Sequence, residues 1–344
     1  MKNFKVIIFV LFCMMKFTSV VAQIDTVFWF AAPWVTPDHT WRDAIKVHIA
    51  GDAGTTVRIR QPGAILPNKY DTTFTIPPSR AFDYTFWRDA AAGATNFGYD
   101  SLESRPANTV LPYGLKITSS SKITVVYDVV TRAPTFYNPE TFSLKGQNGM
   151  GTEFVCPFQN TWKNQTLGGD LNGDAIVTQP KQQINIVSTM PGTVVWITPR
   201  CNVVGHLANV TYSIAMGYGD VYTIENVTQA TTTLTPGQNL GGTIVVSNNP
   251  ISVTVADDSV NTPGGGCFDL IGDQIVPVDV VGDSYIANLG FMFTASVESI
   301  FVVATDNFTQ VNINNGTAFT YTLNKGDTKQ FPMTTPHQGR NPSF

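Results

Sequence analysis

Apolar and polar residues alternate in many short runs along this chain. Lys46-Val47-His48-Ile49, Thr56-Val57-Arg58-Ile59, Ile123-Thr124-Val125-Val126-Tyr127 and Ile251-Ser252-Val253-Thr254-Val255 are the clearest. A period of two, bounded by Gly, Pro, Asn and Ser, predicts strands with one buried face. No window of useful length has helical periodicity; Ala90-Ala91-Ala92 comes nearest, and Gly93 ends it. Gly, Pro, Thr, Asn and Val are plentiful, a composition that favours strands and turns. The expected fold is all-β: tandem antiparallel β-sandwich modules with Greek-key-like connections.

The runs recur in a fixed order. Thr-x-Val-x-Ile occurs at Thr55-Val57-Ile59, Thr193-Val195-Ile197 and Thr309-Val311-Ile313. A second short strand follows each, at Phe74-Thr75-Ile76, Tyr212-Ser213-Ile214 and Tyr321-Thr322-Leu323, and then an aromatic, Tyr84, Tyr222 or Phe331. In the first two copies, Gly114–Tyr127 aligns with Gly242–Val255; each stretch reads as a hairpin, turning at Ser119-Ser120-Ser121 or Asn248-Asn249-Pro250. The pattern places module 1 at 23–152, module 2 at 153–284 and an incomplete module 3 at 285–344. A partial third copy predicts that the natural protein continues beyond Phe344 as a larger multi-module chain.

The three valines should face the cores. Thr56, Arg58, Gln310 and Asn312 assign the opposite strand face to solvent in copies one and three. In copy two that face carries Val194 and Trp196, so Trp196 is expected at an inter-module contact or a ligand site, with the module contact preferred.

Residues 1–22 have the form of a secretory signal peptide. Lys2 and Lys5 precede the apolar run Val6–Met15, and Val20 and Ala22 stand where a signal peptidase reads, which leaves Gln23 first. The run is too short for a membrane anchor, and no later stretch approaches the roughly 20 apolar residues of a spanning helix. Cys13 is preceded by Phe12, which does not fit a lipoprotein site. Charged residues make up 13% of the 344-residue chain and the net charge is −4, so neither nucleic acid nor a membrane surface is an expected partner. Secretion permits a disulfide among Cys156, Cys201 and Cys267; all three pairings are open, with Cys201–Cys267 preferred because both lie in loop-like stretches.

Several stretches together resemble a known family: Gly151-Thr-Glu-Phe-Val155, Ile184–Pro199, Gly242–Val253, Asp269–Pro277, Gly282-Asp-Ser-Tyr285 and Phe301–Asp306. They are similar to the N-terminal domain of IgG-Fc-binding proteins, and most similar to its bacterial branch in gliding-associated, type IX-secreted surface proteins. The resemblance covers roughly 150–330, with a fainter echo over 27–150. It implies extracellular binding or adhesion, and it carries no ligand-contact residue over to this chain.

Local chemistry adds little to that picture. Asp170, Asn172 and Asp174 stand at alternating positions, like the first ligands of a calcium loop. Ala175 takes the place of the turn glycine and Lys181 that of the closing carboxylate, so a solvated turn that binds calcium poorly is expected and no cofactor is required. No GxSxG or HExxH motif is present. The acid pairs Asp257-Asp258 and Asp269 with Asp273 would suit glycoside hydrolysis, but they sit at strand ends where solvated turns are ordinary. Trp29, Trp34, Trp41, Trp87, Trp162 and Trp196 would suit sugar stacking, against the ordinary role of aromatics as core. The expected function is therefore a secreted cell-surface binding or adhesion protein, not an enzyme, with an extracellular protein or glycan as ligand. The alternatives are a carbohydrate-binding accessory region of a secreted enzyme and a purely structural stalk.

Overall fold

The computed structural model describes residues 23–35, 44–65, 70–86, 102–130, 139–166, 179–228, 238–261, 268–287, 299–314 and 318–332. Among them there is no α-helix, and the sheets are antiparallel throughout.

The first sheet contains β1 (Asp25–Phe30), β2 (Ala44–Gly51), β3 (Thr56–Arg60), β4 (Asp71–Thr75) and β5 (Ala81–Phe86). After β6 (Val110–Leu111) come β7 (Leu115–Val130) and β8 (Glu140–Ser143). The sheet runs β4-β3-β7-β2-β5, with β1 and β8 also on β7. The second begins with β9 (Met150–Val155) and β10 (Lys163–Asn164), then β11 (Gln182–Ser188), β12 (Thr193–Thr198), β13 (Tyr212–Met216), β14 (Val221–Glu225), β15 (Ile244–Asn261) and β16 (Phe268–Ile275). It runs β13-β12-β15-β11-β14, with β9, β10 and β16 also on β15, and β6 is added beyond β14. The two strand orders are the same, β2 to β5 corresponding to β11 to β14 and β7 to β15.

A third set repeats part of this order. β17 (Ser299–Val303) pairs with β20 (Thr328–Pro332), as β2 does with β5. β18 (Thr309–Asn314) pairs with β19 (Ala318–Leu323), as β3 does with β4.

The hairpins expected within Gly114–Tyr127 and Gly242–Val255 are not formed. Each stretch belongs to one long strand that changes partners midway. In β15, Ile244 to Ser247 pair with β12, and Ile251 to Asp257 pair with β11. In β7, Lys116 to Ser119 pair with β3, and Ile123 to Val130 with β2. The turn-forming residues make a bend instead of a reversal. Ser119 Oγ donates to the Ser121 carbonyl at 2.7 Å, and Ser247 Oγ to the Asn249 carbonyl at 2.7 Å. Such an irregularity lets one strand pass from one layer of a sandwich to the other.

Each full sheet folds around its own apolar cluster. Val57, Ile59, Ile117 and Tyr127 lie in the first, and Val195, Ile197, Ile224 and Val253 in the second. The first cluster also takes in Ala256 and Leu270 from the second sheet. Between the two, Trp29 and Ala31 pack with Val187 and Val221. The Trp29 and Tyr218 rings meet edge to face at 5.2 Å. The Gln183 amide joins the Trp34 backbone at both ends, Nε2 donating to the carbonyl at 2.7 Å and Oε1 accepting from the N–H at 3.1 Å.

Candidate functional site

β12 sorts its side chains by period two. Thr193, Val195 and Ile197 are buried, Val194 and Thr198 half-buried, and Trp196 is 42% exposed. Residues directly opposite on antiparallel strands share a face, which places Ser213, Trp196, Val246 and Glu153 in one outer rung across β13, β12, β15 and β9. Val194 lies beside Ala215 on the same face. The turn of the third set borders this surface: Lys325 makes an ion pair with Glu153, and Arg200 meets Asp327 at 2.9 Å.

The corresponding rung of the first sheet is Thr73, Arg58 and Thr118. There Arg58 makes a two-pronged pair with Asp71, both bonds 2.7 Å. In the third set Asn312 stands at that position and accepts a hydrogen bond from the Thr320 hydroxyl at 2.7 Å. Two of the three equivalent positions thus carry polar side chains satisfied by a strand neighbour, and the third presents an indole beside two half-buried valines. An indole offers a flat apolar face and one N–H donor, suited to stacking on a ring or seating an apolar side chain.

Of the other candidate tryptophans, Trp29 and Trp34 are buried between the sheets and Trp162 is partly covered, its ring 6.5 Å from that of Phe301. Trp41 and Trp87 lie outside the described residues, as do Asp170, Asn172 and Asp174. Cys156 and Cys201 are buried free thiols in the second core; burial pushes the Cys201 thiol up to about 12. Cys267, its expected partner, lies outside the described residues. Among those residues no group of three His, Cys, Asp or Glu could hold a metal, and no helix is long and apolar enough to cross a membrane.

The first acid pair, Asp257-Asp258, is buried. The Asp257 carboxylate accepts from the amides of Asn164 at 2.7 Å, Gln159 at 2.7 Å and Gln182 at 2.9 Å. Burial raises its pKa, and the three amides oppose the shift. This cluster ties β10, β11 and the segment before β10 to β15. Asp273 is held by Lys145 at 2.9 Å across the two sheets. Beside it, burial carries Glu140 up to about 7, against hydrogen bonds from the N–H groups of Thr141 and Gly272 and with the charges of Asp273 and Asp269 adding to the rise. On the outer face of the first sheet His48 bridges Asp83 and Asp128, each at 2.8 Å, and the Asp128 bond is the largest cause of its raised pKa.

The model of a family described as IgGFc binding protein matches residues 140–341, more than half of the chain. No curated protein and no solved structure matches.

Proposed function

The chain belongs to the IgGFc binding protein family, and on that premise we propose that it is an extracellular binding or adhesion protein whose ligand face is the outer rung around Trp196. The observation that carries this reading is the exposed indole inside the family-matched region, where the equivalent positions hold Arg58 with Asp71 and Asn312 with Thr320. The Asp257 carboxylate is engaged by amides on both oxygens, which supports a binding role over hydrolysis. Residues 1–22 act as the signal peptide, and 23–152, 153–284 and 285–344 are the modules, an assignment supported by the repeated strand order. The resemblance carried jointly by the stretches between Gly151 and Asp306 is the ground for placing the chain in the bacterial, gliding-associated and type IX-secreted branch. Binding needs no cofactor, and the calcium loop at Asp170, Asn172 and Asp174 lacks its closing carboxylate.

The test is retention of ligand by the immobilised protein, with antibody Fc, a panel of extracellular proteins and a glycan array as separate arms. Fc is the first probe because of the family's description. Trp196→Ala should weaken the retained interaction by about tenfold or more, the scale of an aromatic hot spot, with unchanged melting. Binding that survives Trp196→Ala would remove this face from the proposal. Retention on glycans alone would identify the ligand as carbohydrate and exclude a protein partner.

A further inference from the structure

β1 is anchored by its first residue. Asp25 stands opposite Ile123 on β7. Its carboxylate accepts from the Thr26 N–H at 2.6 Å, from the Gln147 N–H at 2.7 Å and from the Gln147 side-chain amide at 3.3 Å. Gly146 closes over it, and a Cβ there would lie 2.6 Å from the Asp25 Cβ. From this anchor β1 carries Phe28 and Phe30 into the first core and Trp29 into the seam.

Two residues before the anchor lie outside the strand. Gln23 is exposed and Ile24 is 42% exposed. Among the described residues no hydrogen bond engages the Gln23 side chain. Gln23 also has a φ of 61°. Residues with a Cβ rarely adopt such a value, because it turns the Cβ toward the preceding peptide unit. A chain that starts at Gln23 has no preceding peptide unit and keeps none of that strain. The bond before Gln23 is the one that Val20 and Ala22 mark for a signal peptidase.

We propose that Gln23 is a modification site: as the mature N-terminus it closes into a pyrrolidone (pyroglutamyl) ring and leaves the chain without a free α-amine. This rests on the reading of residues 1–22 as a signal peptide. The unprotonated α-amino nitrogen attacks Cδ of its own side chain. The N–Cδ bond forms, the Cδ–Nε2 bond breaks, and the amide nitrogen leaves as ammonia with the proton that the amine gives up. Nothing is oxidised or reduced, and no second reactant takes part. An α-amine titrates at about 8, so part of it is unprotonated at neutral pH. Both reacting groups belong to one residue and meet through a five-membered ring, so the fold has only to leave them free. It does so at Gln23. Asp25, the acid next in sequence, already accepts from Thr26 and Gln147 on its two oxygens, so it does not hold the α-amine as an ammonium ion. The ring also shields the anchor. An aminopeptidase that removed residues 23 and 24 would reach Asp25, and the ring denies it the amine that such enzymes require.

The test is to secrete the full chain, with its own residues 1–22, from a bacterial host. Its terminus is read by stepwise sequencing and by terminal-peptide mass spectrometry, at harvest and after incubation at mildly alkaline pH. The chain should be blocked, with a terminal peptide one ammonia lighter than the encoded residues from Gln23 onward. Pyroglutamyl aminopeptidase should lift the block and expose Ile24-Asp25-Thr26. Gln23→Ala should be cut at the same bond, sequence openly from position 23, and be shortened by an aminopeptidase that leaves the parent intact. A parent that still carries an open Gln23 amine after incubation overturns the ring and leaves the signal-peptide reading standing. A chain that begins at Met1, or at any residue other than Gln23, overturns both.

Discussion

Val57 and Val195 occupy the same place in two sheets built alike. Val57 stands opposite Phe74 on one side and Ser119 on the other. Val195 stands opposite Ile214 and Ser247. Both side chains are fully buried, and the two serines mark the bend of the long strand in each sheet. The third valine of the motif, Val311, stands opposite Tyr321 and is only half-buried.

That difference predicts a graded response to one substitution. Val57→Ala and Val195→Ala should each cost about 2 kcal/mol, from two lost methyl groups and the cavity they leave. Val311→Ala should cost less than half as much. Val195→Asp should unfold the second sheet, because a buried carboxylate without a partner is not tolerated. Urea titrations of the four variants would check the order. Equal costs at all three valines would remove the distinction drawn between the two fully buried valines and the half-buried one.

Glu140 gives the seam between the first two sheets a pH dependence. Its ordinary pKa of 4.5 rises to about 7 in the folded chain, chiefly through burial. The folded protein therefore holds the proton over a window where the unfolded chain has released it. Stability from this group is complete below 4.5 and is lost as pH rises through 7. Asp273, whose charge adds to the rise, is itself paired with Lys145. Glu140→Gln copies the protonated state, so it should match the parent near pH 4.5 and exceed it at pH 8. His48, whose pKa is also raised, slopes in the same direction, which makes the difference between the two proteins the quantity to measure. A difference that is flat with pH would place Glu140 in water.

Much of this fold was legible because strand faces are local. Thr-x-Val-x-Ile declares its buried side through its own spacing, and the polar residues Arg58 and Asn312 identify the outer face on which Trp196 stands. The bends at Ser119-Ser120-Ser121 and Asn248-Asn249-Pro250 were not legible, because the residues that reverse a chain also kink a continuous strand. Which of the two occurs depends on β2, β3, β11 and β12, far away in sequence. The seam was hidden for the same reason. Gln274 Nε2 reaches the Trp29 carbonyl at 2.7 Å across 245 positions, and nothing in the residues around Gln274 marks it as buried.

The Asn-x-Thr triplets are sorted by the fold. Asn164 and Asn226 are buried, the first donating to Asp257 at 2.7 Å and the second to the Thr228 carbonyl at 2.8 Å. Asn209 and Asn307 are exposed. Folded protein secreted from a eukaryotic host should carry N-glycans at Asn209 and Asn307 and none at Asn164 or Asn226. Peptide mass spectrometry after enzymatic deglycosylation reads each site separately. A glycan on Asn164 in folded material would contradict the buried amide cluster around Asp257.

Gly242 and Gly326 predict how the third repeat is held against the second. Both have positive φ, 89° and 80°. A Cβ on Gly242 would run into the Gly326 carbonyl, and one on Gly326 would come within 2.9 Å of the Gly242 carbonyl. The turn between β19 and β20 therefore rests directly on the backbone that leads into β15. The Arg200–Asp327 pair and the ion pair between Glu153 and Lys325 flank that contact. Gly242→Ala should push the turn away and separate both pairs. The residue would also be strained by its φ alone, at about 1–2 kcal/mol, so a control is needed. Gly54 supplies it: its φ is 84°, and a Cβ there meets nothing within 4 Å. Gly54→Ala should lower stability by the backbone strain and leave the third repeat as resistant to protease as before. Gly242→Ala should do more, opening residues 299–332 to limited proteolysis while the first sheet stays protected. Arg200→Ala with Lys325→Ala should reproduce part of that opening with no change in backbone strain. If Gly242→Ala digests like Gly54→Ala, the two-glycine contact does not hold the third repeat in place.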